Sequence, residues 1–302
     1  MAGRALVTGA GGFAGRHLVR HLSERGDELV GPSSDEVDLR DADSTRALVR
    51  DSRPDRVFHL AALASVKRSW DEPERTIADN QAMTLSLLEA VRHEAADARV
   101  LIAGTGEVYG APASLPVTED APLAPQNPYA LSKATCDLLG QLYERAWGLT
   151  VVRTRAFNHA GPGQSDDYVL GTLTRQVAEA ELAGADSVVI RTGNPDSARD
   201  FTDVRDVVRA YDAAIGLDSG VYNVASGRSL TVNELIEAIR AQTRLEVRHE
   251  VDQDRVRHHD VREVRGSAAR LRKATGWEPS VPLEETVADA IAWWRDELAQ
   301  AA

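Results

Sequence analysis

The chain has 302 residues, 43% of them hydrophobic and 27% charged, a formal net charge of −12 and a single cysteine, Cys136. That length suits one large α/β domain with a smaller lobe, and the negative charge argues against nucleic acid as the main partner. No apolar run approaches membrane-spanning length and the amino terminus reads as a strand and glycine loop rather than a signal peptide. The lone cysteine has no internal disulfide partner, so a cytoplasmic chain with no membrane partner is expected.

In chain order, the apolar run at residues 4–8 enters Gly9-Ala10-Gly11-Gly12-Phe13-Ala14-Gly15, and Leu18, Val19 and Leu22 follow at helical spacing. Strand, glycine turn and helix together form the setting of a dinucleotide fingerprint. The glycines allow a tight turn, a close approach of backbone to pyrophosphate, and close packing of helix on strand. Residues 27–31 read as a second strand, 43–49 as a helix, and 55–62 as an apolar strand running into small residues. A long helix is expected over 75–95, with Leu85, Leu88 and Val91 in register, then a buried strand at 99–103 that delivers Thr105, Glu107 and Tyr109 at its end. A proline-rich loop covers 112–128, Tyr129 opens the next helix, and 151–155 is one more strand. Cys136 falls seven residues after Tyr129 on the same helical face and reads as a small buried hydrophobe.

Strands alternating with helices imply an α/β fold, a Rossmann-type doubly wound parallel sheet, whose ligands bind outside the carboxyl ends of the strands. The glycine loop, residues 59–62, residues 105–107 and Asn158 all fall at such ends. Beyond residue 160 the alternation loosens. Residues 1–160 are therefore expected to form mainly the NAD(P)-binding domain, and 161–302 mainly a smaller α/β substrate lobe interleaved with the last strands of the sheet.

Tyr129-Ala130-Leu131-Ser132-Lys133 is the most informative local pattern, because only three lysines (Lys67, Lys133, Lys273) and six tyrosines occur in the chain. On a helix, positions i and i+4 share a face, so an ammonium there would favour the phenolate and draw the phenol's pKa toward neutrality. The pair reads as a proton donor or acceptor.

Together these residues resemble the extended short-chain dehydrogenase/reductase family over nearly the whole chain. The resemblance rests on residues 8–15, on Phe58-His59-Leu60-Ala61-Ala62, on Thr105 with Tyr109-Gly110, and on Tyr129 with Lys133. Three further segments, 155–164, 199–206 and 222–227, resemble the GDP-mannose 4,6-dehydratase and GDP-6-deoxy-4-keto-hexose reductase branches, the loop Phe157 to Gln164 and the chain length being closer to the reductases. The resemblance implies Tyr129 as acid/base, Lys133 as the cation beside it and on the nicotinamide ribose, and Thr105 as the hydroxyl that binds the reacting sugar oxygen. It implies Gly9, Gly12, Phe13 and Gly15 around the cofactor pyrophosphate, with Asp38, Leu39, Ala61 and Ala62 along the adenosine. Asn158, Arg199, Arg257 and Asp260 are implied for the nucleotide sugar, a GDP-linked one being favoured.

Glu107 stands where the family's dehydratases carry a base. Gly106 offers no acid where one dehydratase type has aspartate and another has serine, which favours reduction over dehydration. The end of strand two is expected at Ser33, without the carboxylate of NAD-selective members, so NADP(H) is slightly favoured within NAD(P)(H). A homodimer through the helices near 80–95 and 129–146 is implied. Nucleotide-sugar dehydration or epimerisation with tightly bound NAD(P), and a non-catalytic cofactor-binding protein, stay open. No metal site is read: His258 and His259 are adjacent and lack further ligands at a recognisable spacing.

Overall fold

The computed structural model describes residues 3–253 and 261–301. Its centre is a six-stranded, wholly parallel sheet built from β1 (Arg4–Thr8), β2 (Glu28–Val30), β3 (Arg56–His59), β4 (Arg99–Thr105), β5 (Val151–Ala156) and β9 (Gly220–Val224), in the order β2-β1-β3-β4-β5-β9. The order reverses between β1 and β3, which opens a crevice at their carboxyl ends. The expected Rossmann-type architecture is therefore present. Strand β9 returns to the sheet from beyond residue 160.

Both sheet faces are covered, which is why β5 is buried at every position and β4 at nearly every one. On one face α1 (Phe13–Glu24) contributes Leu18 and Leu22, and α7 (Val204–Ala214) contributes Val207, Val208 and Tyr211. On the other, α2 (Ala42–Ser52), α4 (Pro73–Glu94) and α5 (Pro128–Trp147) contribute Val49, Leu87, Leu88, Val91, Cys136 and Tyr143. Cys136 is buried as its apolar setting predicts, with Thr84 and the Asn80 carbonyl as its polar neighbours. The short helix α3 (Val66–Asp71) has no periodic signature in the sequence; Ser65 starts it by accepting from the Arg68 amide.

The remaining strands form a second region. Strand β8 (Ala198–Asp203) pairs with β6 (Asn158–Ala160), β10 (Ser229–Thr231) and β12 (Glu263–Val264), and β7 (Ser187–Thr192) pairs with β11 (Glu246–Val251). Helices α6 (Val169–Leu182), α8 (Val232–Arg240) and α10 (Leu283–Ala301) pack there around Leu170, Leu173, Ile190, Ile236 and Ile291, while α9 (Ala269–Thr275) adds Leu271 to the first sheet face. The polar residues of segment 199–206 are largely structural. Asp200 accepts from the amides of Ser226, Gly227 and Gly266, Asp203 caps α7, and Asp206 accepts from the amides of Ser280 and Val281.

Candidate active site

Strand β1 delivers a loop whose glycines have steric reasons to be glycine. Gly9 has φ +74°, and a Cβ there would lie 2.7 Å from the Ala61 nitrogen. A Cβ at Gly15 would lie 2.0 Å from the Gly9 oxygen, so helix α1 packs directly on the loop, whereas one at Gly11 would meet nothing within 4 Å. Gly12 donates its amide to the Gly9 carbonyl at 3.0 Å, and α1 begins at Phe13 without a side-chain cap. Its first-turn amides and positive dipole end are thus available to an anion. The Phe13 ring stacks on His159 at 5.8 Å and meets His17 edge-on at 5.7 Å, joining the start of α1 to the short strand β6 that follows β5.

Beside this loop, the chain runs on past His59, the end of β3, into Ala61 and Ala62. Thr8 holds the turn, accepting from the Ala61 amide at 3.4 Å and bonding the buried His59 ring at 2.8 Å. Burial keeps His59 neutral, its pKa pushed down to about 3. Asn80, which the sequence did not single out, accepts from the Leu63 amide at 2.8 Å and donates to Ser132 at 2.8 Å, tying this turn to α5. On the adenosine side Leu39 is buried, while the half-exposed Asp38 is engaged by Arg40, which holds its carboxyl down to about 2.

The acid/base group assembles where β4 meets α5. The Thr105 hydroxyl ends β4, accepts from the Glu107 amide at 3.2 Å and lies beside the Tyr129 phenol, whose pKa it works to lower. Asn127, also unremarked in the sequence, caps α5 by accepting from the Ala130 amide at 2.7 Å and donates to the Glu107 carboxylate at 3.2 Å. An asparagine directly before a proline at the first helical position is the signal that could have revealed this cap. Lys133 lies one turn beyond Tyr129 and is 5% exposed; among the described residues its ammonium has no hydrogen bond or ion pair.

Electrostatics at the pair differ from the expectation. Burial pushes the Tyr129 phenol up, with Tyr168 and Glu107 adding to the effect, and it pushes the Lys133 ammonium down. Desolvation is the largest influence on each group, so Tyr129 holds its proton at neutral pH rather than titrating near it. That state is the one a proton donor needs.

An uncapped helix start, an open glycine face and a buried cation with no hydrogen bond or ion pair among the described residues fit a dinucleotide. The glycine loop and α1 would hold the pyrophosphate, and Lys133 would reach a ribose. Asn158 and Arg199 line a separate cleft of ≈ 340 Å³ with Thr172, Arg191, Asn194 and Phe201, because β6 and β8 pair in register. Arg257 and Asp260 lie outside the described residues. Position 106 is a tight one: a Cβ on Gly106 would meet the Phe157 ring at 3.1 Å.

Comparison with known proteins agrees with this geometry. The family model described as GDP-mannose 4,6 dehydratase matches residues 34–290. The chain is 35% identical to GDP-6-deoxy-D-mannose reductase of Pseudomonas aeruginosa, covering 99% of each, and 32% identical to UDP-glucose 4-epimerase of Mycolicibacterium smegmatis, covering 97% of this chain and 99% of that protein. Among solved structures, RMD from Pseudomonas aeruginosa complexed with NADPH superposes with a TM-score of 0.90 at 34% identity, over 98% of this chain and 100% of that one.

Proposed function

Because this chain belongs to the extended short-chain dehydrogenase/reductase family of nucleotide-sugar reductases, dehydratases and epimerases, we propose that it reduces a nucleotide-linked 4-keto-6-deoxy-hexose with NAD(P)H, a GDP-4-keto-6-deoxy-mannose type of substrate being favoured. One observation carries the reading: the Thr105 hydroxyl beside the Tyr129 phenol, which lies one helical turn from the buried Lys133. Residues 1–160 would mainly hold the cofactor and 161–302 mainly the nucleotide sugar.

When bound, the reduced nicotinamide supplies hydride to the C4 carbonyl. Tyr129 donates its phenolic proton to the carbonyl oxygen, where negative charge develops, and the Thr105 hydroxyl donates a hydrogen bond to the same oxygen. Lys133 then favours the phenolate left behind. Asn158 and Arg199 orient the nucleotide, Arg199 with its planar guanidinium suited to a diphosphate; Arg257 and Asp260 keep the substrate-binding role that the family resemblance implies.

Dehydration or epimerisation is the second reading, supported by the exposed Glu107 carboxylate that Asn127 holds near Tyr129. Reduction is favoured because an acid at position 106 would have to displace the Phe157 ring. The comparisons with nucleotide-sugar enzymes, together with Thr105, Tyr129 and Lys133 in one place, leave the non-catalytic reading without a supporting observation.

A homodimer through α4 and α5 is part of the proposal, since Leu85, Leu131, Leu138 and Leu142 are each more than 40% exposed along those helices. Cytoplasmic residence is too; no helix among the described residues is long and apolar enough to cross a membrane.

The test is loss of reduced-cofactor absorbance when the protein meets GDP-4-keto-6-deoxy-mannose with NADPH or NADH. Tyr129→Phe should cut turnover by roughly a hundred- to ten-thousand-fold while cofactor binding stays intact. No oxidation with any nucleotide-linked keto sugar would refute reduction; turnover without added reductant, on copurified NAD, would select the second reading.

A further inference from the structure

The cleft that holds Asn158 and Arg199 and the acid/base group at Tyr129 lie in different regions of the fold, and one side chain joins them. Asp167 and Val169 line the cleft. Between these two, Tyr168 reaches out of the cleft, and its hydroxyl donates to the Ala64 carbonyl at 3.3 Å. Ala64 follows a turn that is tied to α5. The Leu63 amide donates to Asn80 at 2.8 Å, Asn80 donates to Ser132 at 2.8 Å, and the Ser132 hydroxyl donates to the Tyr129 carbonyl at 2.7 Å. The Tyr168 phenol also adds to the raised pKa of Tyr129, so the two phenols are neighbours. Tyr168 therefore stands between the cleft and the acid/base group.

Its backbone is fixed and its hydroxyl is not. The Tyr168 amide donates to the Ser165 carbonyl at 3.2 Å, and the Thr172 hydroxyl is shared between the Asp166 and Tyr168 carbonyls at 2.6 and 2.9 Å. A Cβ at Gly171 would lie 2.2 Å from the Ser165 oxygen, so the turn before Tyr168 rests directly on α6. A hydroxyl donor ordinarily lies about 2.7–2.8 Å from its acceptor, so the 3.3 Å bond to Ala64 is weak and a ligand hydroxyl can replace it. The ring is 38% exposed. Burial of the phenol and the adjacent Asp167 carboxylate push its pKa up, which keeps it a neutral donor at neutral pH.

We propose that Tyr168 positions the hexose: its hydroxyl exchanges the Ala64 carbonyl for a hydroxyl group of the sugar, and its ring is the wall that turns the sugar from the cleft toward Tyr129. The inference rests on the nucleotide-sugar reading of the cleft and adds the residue that holds the sugar itself. The competing role is mechanical. Arg68 pairs with Asp167 at 3.3 Å across the same boundary, and Tyr168 on Ala64 would then be a second tie between the two regions.

Calorimetric titration of the full chain with GDP and GDP-mannose, and in parallel with UDP and UDP-glucose, separates the two roles, because the nucleotide alone lacks the sugar. Tyr168→Phe keeps the ring and removes only the hydroxyl. It should weaken the nucleotide sugar that wild type binds about three- to tenfold, the effect of one neutral hydrogen bond, and leave the bare nucleotide within about twofold. Arg68→Ala breaks the other tie and should leave both affinities within about twofold of wild type. Unchanged nucleotide-sugar affinity in Tyr168→Phe would overturn the proposal. Equal losses for nucleotide and nucleotide sugar, or the same loss in Arg68→Ala, would also overturn it and assign Tyr168 to holding the two regions together. Failure of wild type to bind any of the four ligands would overturn the nucleotide-sugar reading and the proposal with it.

Discussion

The glycine loop offers a graded steric experiment. At Gly15, inside α1, alanine gains about 1 kcal/mol of helix propensity. Its Cβ, however, would lie 2.0 Å from the Gly9 carbonyl oxygen and 2.9 Å from the Ala10 Cα and carbonyl oxygen, where ordinary contact begins at 3.4 Å. All three neighbours are backbone, so no side chain can rotate away, and loop and helix must separate by roughly 1.4 Å, the shortfall from that ordinary contact. Overpacking of this kind costs about 3 kcal/mol or more and outweighs propensity, for a net loss of at least about 2 kcal/mol. At about 2 °C per kcal/mol for a chain this large, Gly15→Ala should lower Tm by about 4 °C or more. Gly11→Ala meets nothing and Gly12→Ala meets only the Gly9 oxygen at 3.2 Å, so both should melt within about 2 °C of wild type. If the loop cradles pyrophosphate, those two variants instead lose affinity for NAD(P)H. Melting with and without cofactor separates the effects: at a hundredfold excess over Kd, wild type should gain about 2.7 kcal/mol, or about 5 °C, and Gly12→Ala much less. Full stability of Gly15→Ala would refute the packing argument. A wild-type cofactor shift in both Gly11→Ala and Gly12→Ala would refute the cradle.

Other outcomes follow from buried charge. Lys133→Met removes a buried ammonium that has no partner among the described residues, so Tm without cofactor should hold or rise while NAD(P)H affinity falls about tenfold or more; unchanged affinity would count against Lys133 as a cofactor ligand. Asp137 is buried between Arg153 at 3.1 Å and Arg155 at 2.7 Å, so Asp137→Asn leaves Arg155 without its carboxylate and Arg153 with Glu144 alone at 3.4 Å; it should cost about 3 kcal/mol, seen as a Tm drop of about 6 °C. His59 sits at about 3 when folded, below its value in the unfolded chain. The unfolded chain therefore takes up the proton first as pH falls below about 6.5, and stability declines by about 1.4 kcal/mol per pH unit through that window. His59→Asn should flatten the fall of Tm between pH 6.5 and 4. A double change, Leu138→Glu with Leu142→Glu, should convert a dimer to monomer in sedimentation; an unaltered sedimentation coefficient would remove these helices as the interface.

Much of the site is legible before any coordinates because it is local. The glycine loop lies between a strand and a helix joined to it directly, and Tyr129 and Lys133 share a face at helical spacing. Segments 199–206 and 222–227 were less transparent. Read for nucleotide sugar, they contribute Arg199 to the cleft, but Asp200, Asp203, Asp206 and Asn223 mainly satisfy amides, carbonyls and the Tyr109 hydroxyl. A carboxylate that caps an amide and one that binds a ligand look alike in a string of letters.

By itself, the sequence determined the doubly wound parallel sheet and the short-range placement of donors, because hydrophobic period, glycine sterics and helical spacing act over a few residues. Tertiary structure alone decided which groups lose their water. Burial at the meeting of β4 and α5 raises the phenol of Tyr129 and lowers the ammonium of Lys133, against the attraction that spacing predicts. Desolvation depends on everything packed around a group, and that neighbourhood exists only once distant segments have come together.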